Sequence, residues 1–305
     1  ADGSAGGLNG SGSLELNGQT LQIQAASGQT HTYEGTLGEG TLDVSGAGTQ
    51  VLRSSGADTG LTISGGNLVL QGKADVDGAR LSYGNLVNSG NLTIQASDNS
   101  LTAVNTTLSV ENASFSSGSS TTFTLNTDAD MTASFIEASG DVVIEDGASF
   151  HVTSIPDVNI TWKSGNPMEL TLMELTGDGT IDLGENTLTV GGLFLTYYKN
   201  AHLVQEGDKV VLKAEEQTDN VYAGVADTAN SMAGANLLWD AARHGSIDQA
   251  VTDFLGALNN DMLNNPSAAR RSLAAAAGST VNALGTAQRD ALRDQMGWIR
   301  NRTTL

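Results

Sequence analysis

Apolar residues recur at every second position in short segments throughout residues 13–213. They include Leu14-Glu15-Leu16, Leu21-Gln22-Ile23, Leu42-Asp43-Val44, Leu61-Thr62-Ile63 and Leu68-Val69-Leu70. The series continues with Leu92-Thr93-Ile94, Leu108-Ser109-Val110, Phe123-Thr124-Leu125, Val142-Val143-Ile144 and Phe150-His151-Val152. It ends with Leu170-Thr171-Leu172, Ile181-Asp182-Leu183, Leu188-Thr189-Val190 and Val210-Val211-Leu212. Residues two apart lie on one face of a strand, so each segment offers an apolar face and, opposite it, a face that is polar in most of them. Gly, Asn, Ser and Asp separate the segments and supply turns.

Two architectures satisfy this pattern. One is an antiparallel β-sandwich. The other is a right-handed parallel β-helix, a solenoid whose short strands stack rung upon rung. Intervals of 21 and 19 residues between Leu21, Leu42 and Leu61 favour the solenoid, as do 16, 15 and 19 between Leu92, Leu108, Phe123 and Val142. Repeated phrases point the same way: Gly40–Gly46 (GTLDVSG), Gly66–Gly72 (GNLVLQG) and Gly90–Ala96 (GNLTIQA). At roughly 20 residues per rung, the segment predicts about ten rungs. Residues 155–175, with Pro156, Trp162 and Pro167, predict a rung with a longer excursion. Leu193–Leu212 predicts a hairpin that caps the open end.

From Asn220 the period becomes helical. Asp227–His244 places Met232, Ala235, Leu238, Trp239 and Ala242 on one stripe, and Ile247–Asn260 does so with Val251, Phe254, Leu255 and Leu258. Ser246 with Gln249 makes a capping box. Asn265-Pro266 opens a long Ala-rich helix to about Arg302. The chain thus divides into a flexible end at 1–12, a β-solenoid at 13–213 and a helical segment at 214–305.

Composition sharpens this division. Acidic residues outnumber basic ones 34 to 14, a net charge of −20. Residues 1–213 hold 24 acids against 7 bases, and residues 214–305 hold 10 against 7, all arginine. This balance disfavours nucleic acid and anionic lipid as partners. Cysteine is absent, which excludes disulfides and thiolate chemistry. No apolar run is long enough for a membrane-spanning helix.

A glycine-, threonine- and asparagine-rich solenoid without cysteine, followed by Ala-rich helices ending in an Arg-containing stretch, resembles the autotransporter family of Gram-negative bacteria. Gly38–Thr49 (GEGTLDVSGAGT) is similar to the glycine-rich repeat of autotransporter passengers. Ala233–Ala241 and Ala283–Arg293 look like the run that precedes the translocator barrel. No alternating strands of membrane-barrel length appear. The resemblance therefore implies a passenger with its linker helices, its own translocator barrel lying outside this chain. It further implies export across the outer membrane to the cell surface or medium, and a non-catalytic role in adhesion or host contact. The partner it implies is a host or cell-surface glycoprotein or glycan, with the passenger a monomer. Arg289, Arg293, Arg300 and Arg302 would then meet acidic residues of the barrel pore; a solvated charged face is the other account of them.

Little in the sequence points to chemistry. His31, His151, His202 and His244 are scattered without metal-binding spacing, and neither a metal nor a cofactor is expected. Asp58-Thr59-Gly60 matches the short triad of aspartic proteases, whose two carboxylates share one proton. No second such triad occurs, and Ser55-Gly56-Ala57 precedes it in place of an apolar strand. The enzymatic alternative is therefore a secreted hydrolase, either an aspartic-type protease acting on mucin-like glycoprotein through Asp58 or a glycan-cleaving enzyme. Asp75/Asp77, Asp128/Asp130 and Glu145/Asp146 are acid pairs that could ligate calcium or simply line solvated turns. Tyr33, Tyr83 and Trp162 are expected as exposed aromatic contacts for a ligand, whereas Tyr197 and Tyr198 pack the cap.

Overall fold

The computed structural model describes residues 2–73, 79–97, 105–126, 132–154, 168–190, 194–244 and 249–276. The protein is mainly β, with three long sheets. The first contains, in hydrogen-bonded order, Gly3–Ala5, Thr20–Ile23, Gly40–Val44, Thr59–Ile63, Leu86–Asn88, Ala113–Phe115, Val142–Ile144 and Ile181–Leu183. The second contains Thr30–Tyr33, Thr49–Leu52, Asn67–Gln71, Asn91–Gln95, Ser120–Asn126, Ser149–Ser154 and Thr187–Val190. The third begins later, with Arg80–Ser82, Thr107–Val110, Phe135–Ala138 and Met168–Leu175. A short pair, Ser13–Leu14 with Thr36–Leu37, precedes it.

Strands within the three sheets pair in parallel, which overturns the antiparallel sandwich. Among the described residues, antiparallel pairing is confined to three places. Lys209–Glu216 runs against Met168–Leu175, Tyr198–Glu206 runs against Lys209–Glu216, and Thr132–Ala133 lies beside the end of Ser120–Asn126. Parallel neighbours need a long connection, and here the connection is a circuit through the other sheets.

Register follows the apolar pattern. Leu21 pairs with Leu42, Leu42 with Leu61 and Leu61 with Leu86, so one aliphatic column runs up the interior. Ile23, Val44 and Ile63 form the adjacent column. A one-residue slip would turn both columns outward, which fixes the register strongly. The repeated glycine phrases have a local cause. A side chain at Gly66 would meet Val44 Cγ1 at 2.8 Å, and one at Gly90 would meet Ile63 Cγ2 at 2.7 Å. Each corner is pressed onto the circuit before it.

The circuit is not constant. It takes 21 residues from Leu21 to Leu42, 27 from Leu86 to Ala113 and 39 from Val142 to Ile181. The first sheet therefore has eight strands rather than the ten expected from a uniform repeat. The short intervals between Leu92, Leu108, Phe123 and Val142 arose because these residues lie on the second, third, second and first sheets.

Within residues 1–12, Gly3–Ala5 forms the first strand and pairs in register with Leu21–Ile23. The hairpin near Leu193–Leu212 is present. Its strands, Tyr198–Glu206 and Lys209–Glu216, extend the third sheet alone. The interior positions of the last strands of the other two sheets, Ile181, Leu183, Leu188 and Val190, stay half-buried.

Helices α1 (Phe194–Tyr197), α2 (Ala229–His244) and α3 (Gln249–Asn264) follow, and residues 266–276 are helical. Thr228 Oγ1 accepts from the Ser231 amide at 3.1 Å while Ser231 Oγ accepts from the Thr228 amide at 2.9 Å, a reciprocal cap on α2. Asn265 caps the last helical stretch through Ala268 N at 3.3 Å. Ser246 of the predicted capping box lies outside the described residues.

The helices dock through a buried polar knot. Thr196 Oγ1 and Tyr222 Oη are 2.7 Å apart, and Asn259 Nδ2 donates to Thr196 Oγ1 at 2.9 Å. Tyr197 Oη donates to the Ala242 carbonyl at 3.2 Å. Tyr197 and Tyr198 are both buried, as the sequence suggested.

Candidate functional site

The outer face of the third sheet carries an open recess. Ser82, Ser109 and Glu137 share one register column on consecutive strands, and Arg80 stands two residues before Ser82. Arg80 Nη2 donates to Glu137 Oε1 at 3.0 Å, and its Nη1 also reaches Glu137 Oε2. Ser109 Oγ sits between them, accepting from Arg80 Nη1 at 2.6 Å and donating to Glu137 Oε2 at 3.3 Å. The hydrogen bonds to Glu137 push the Arg80 guanidinium further above its already high ordinary range.

Beside this triad runs an open groove of about 380 Å³. It takes residues from five successive levels: Ala57, then Tyr83 and Gly84, then Ser109 to Glu111, then Glu137 and Ser139, then Thr176. Backbone bonds fix that order. Gly56 bridges Tyr83, Glu111 N donates to Gly84 O, Ser139 N to Val110 O and Thr176 N to Ala138 O. The groove lies where the third sheet begins. Its walls are hydroxyls and carboxylates, and its one described cation is already engaged.

Polar ladders hold the neighbouring turns. Asn112 Nδ2 donates to Asn85 Oδ1 at 2.7 Å, the Asp141 amide donates to Asn112 Oδ1 at 2.8 Å, and Thr180 donates its amide and hydroxyl to Asp141 Oδ1. These last two bonds hold the Asp141 carboxyl below the usual carboxylate range. Glu145 and Asp146 serve the same purpose, accepting from Ser117 N at 2.9 Å and Glu185 N at 2.7 Å.

Among the described residues, those singled out in the sequence do not converge. Asp58 is exposed on the turn between Gly56 and Thr59, where Thr59 N closes onto Gly56 O at 2.7 Å. The Thr59 hydroxyl is occupied by Gly38 O at 2.7 Å. A shared-proton dyad needs two carboxylates enclosed together, and an exposed turn is a different environment.

Tyr33 and Tyr83, expected on the surface, are 5% and 4% exposed. Tyr33 Oη donates to Gly12 O at 2.6 Å, and Tyr83 Oη donates to the Ser54 carbonyl. Burial raises the pKa of both phenols. Tyr83 also lines the groove.

Trp162, Arg289, Arg293, Arg300 and Arg302 lie outside the described residues, as do Asp75, Asp77, Asp128 and Asp130. His31 is held by Asn9 at 2.7 Å. His151 points outward between Thr122 and Thr189, and partial burial lowers its pKa.

The groove itself carried a faint signal in the sequence. Residues 1–213 contain two arginines, Arg53 and Arg80. Each pairs with a glutamate from another circuit, Glu34 and Glu137 respectively. An arginine in a chain so poor in bases marks a place where circuits are tied together, but which glutamate it meets depends on circuit length. No protein-family model, curated protein or solved structure matches this chain.

Proposed function

We propose that the protein is a right-handed parallel β-helix serving as an autotransporter passenger, a non-catalytic contact scaffold exposed at the surface of a Gram-negative cell or released from it. One observation carries the reading. Parallel strands repeat in register over eight levels, with mainly apolar columns inside and a mainly polar column outside, which in the first sheet runs Gln22, Asp43, Thr62, Val87, Ser114, Val143 and Asp182. Such a body is stiff, presents polar side chains at a regular spacing and needs no deep cleft to act. The acidic, hydroxyl-rich flank keeps it soluble in the medium. The position of Asp58 on an exposed turn favours contact over peptide hydrolysis. The partner on this reading is a host or cell-surface glycoprotein or glycan.

Surface shaving tests it. Intact bacteria carrying the protein are treated with a protease and probed with antibody to residues 20–150. Loss of signal from intact cells with a periplasmic marker preserved, or recovery of the chain in the medium, is expected. Protection until the cells are lysed would overturn the proposal.

A further inference from the structure

The groove beside Arg80, Ser109 and Glu137 runs across the strands, along the direction in which the circuits stack. Strands in a sheet are about 4.8 Å apart, so its five levels span roughly 20 Å. An extended peptide repeats every second residue at a distinctly longer spacing. A linear chain of pyranose sugars advances per sugar by about the distance between adjacent strands, so each sugar can meet one level. The lining suits such a chain. Ser82 and Ser139 offer hydroxyls that both donate and accept, Ser109 and Thr176 accept while their own protons go to Glu137 and the Ala138 carbonyl, Glu111 and Glu137 accept, and Arg80 donates through the N–H groups that Glu137 and Ser109 leave over. Arg80 and Glu137 neutralise each other through two hydrogen bonds, which leaves no uncompensated positive charge for an anionic polymer. The volume of about 380 Å³ lies within the range of ligand clefts. Tyr83, the aromatic residue among the described lining, is buried and does not offer its face for stacking, so binding is weak per sugar and grows with length.

We propose that this groove binds a neutral, linear oligosaccharide with its chain parallel to the stacking axis, one sugar per level. The proposal rests on the contact-scaffold reading and names the site at which contact is made. The two fail separately, because sugar binding by purified protein does not depend on where the cell places it.

The test is calorimetric and NMR titration of the full chain with the di- and tetrasaccharides of cellulose, chitin and β-mannan, and with tetralysine. At least one tetrasaccharide is expected to bind about ten-fold more tightly than its disaccharide. Ser139→Trp, which fills the groove, should weaken that binding by about ten-fold or more, as should Arg80→Lys, which keeps the charge but loses the fork. Thr122→Trp on the second sheet should leave it unchanged. Thermal midpoints establish that each variant is folded. Failure of all three tetrasaccharides to bind, binding without length dependence, unchanged binding in both folded groove variants, or tetralysine as the preferred occupant would each overturn the proposal.

Discussion

Asn88 donates its side-chain amide to the Thr121 hydroxyl at 3.0 Å, a hydrogen bond that joins the first sheet to the second inside the core. Asn88 occupies the interior column between Ile63 and Phe115, where a hydrocarbon would be expected. It is fully buried and fully used: it also donates to Ser120 O at 3.1 Å and accepts from Gly90 N at 3.1 Å. Asn88→Ala is predicted to cost about 2–4 kcal/mol, because it opens a cavity and leaves the Gly90 amide and Thr121 without a partner. The pair with Thr121→Ala should show a coupling of about 1–2 kcal/mol in a double-mutant cycle by urea unfolding. A loss below about 0.5 kcal/mol would mean that the bond holds nothing.

One circuit further on, aromatic packing replaces this polar tie. Phe115 and Phe150 meet edge to face with ring centroids 5.6 Å apart, and both are fully buried. Phe150→Ala is expected to destabilise by about 3–5 kcal/mol, with Phe150→Leu costing much less. Equal costs for the two would show that ring geometry, rather than filled volume, dominates there.

The helical segment should be separable by a small change. Tyr222→Phe removes the hydroxyl shared with Thr196 and disturbs the Asn259 contact. A loss of about 1–2 kcal/mol is predicted, with faster amide exchange in α3 and unchanged exchange in Thr59–Ile63. Uniform acceleration across both regions would mean that the helices and sheets unfold as one unit.

Acid should weaken the fold in two steps. Partial burial lowers the His151 pKa, so the unfolded chain binds that proton more readily than the folded one. Stability is then lost as pH falls below the ordinary histidine range. His151→Gln should flatten that portion of a curve of thermal midpoint against pH. Asp141, held low by Thr180, contributes stability above the ordinary carboxylate range that disappears as pH falls through its depressed folded value. Asp141→Ala should remove the lower step and leave the His151 step intact.

The alternation of apolar residues located most strands directly. Leu42-Asp43-Val44, Leu61-Thr62-Ile63 and Leu92-Thr93-Ile94 all turn their aliphatics inward. Three of the strands that escaped notice share a cause. Leu86–Asn88 places an asparagine inward, Thr49–Leu52 places Gln50 inward, and Ala113–Phe115 begins with a small residue. Each interior polar group is satisfied by a partner on another strand or circuit, as Gln50 is by Leu8 O at 3.0 Å and His31 O at 3.2 Å. Such partners lie tens of residues away, so a local pattern cannot reveal them. The groove was hidden for the same reason: Arg80 and Glu137 are 57 residues apart. Their meeting depends on circuits of 28 residues, read from Leu108 to Ile136, rather than 20.

The most direct test of the scaffold account uses the purified chain on immobilised mucin-type glycoprotein, with binding followed by interferometry and the surface then analysed for released fragments by mass spectrometry. The account predicts saturable binding, no cleavage product on prolonged incubation, and the same behaviour for Asp58→Ala. Cleavage of the glycoprotein that disappears in Asp58→Ala would contradict it and make the protein an enzyme.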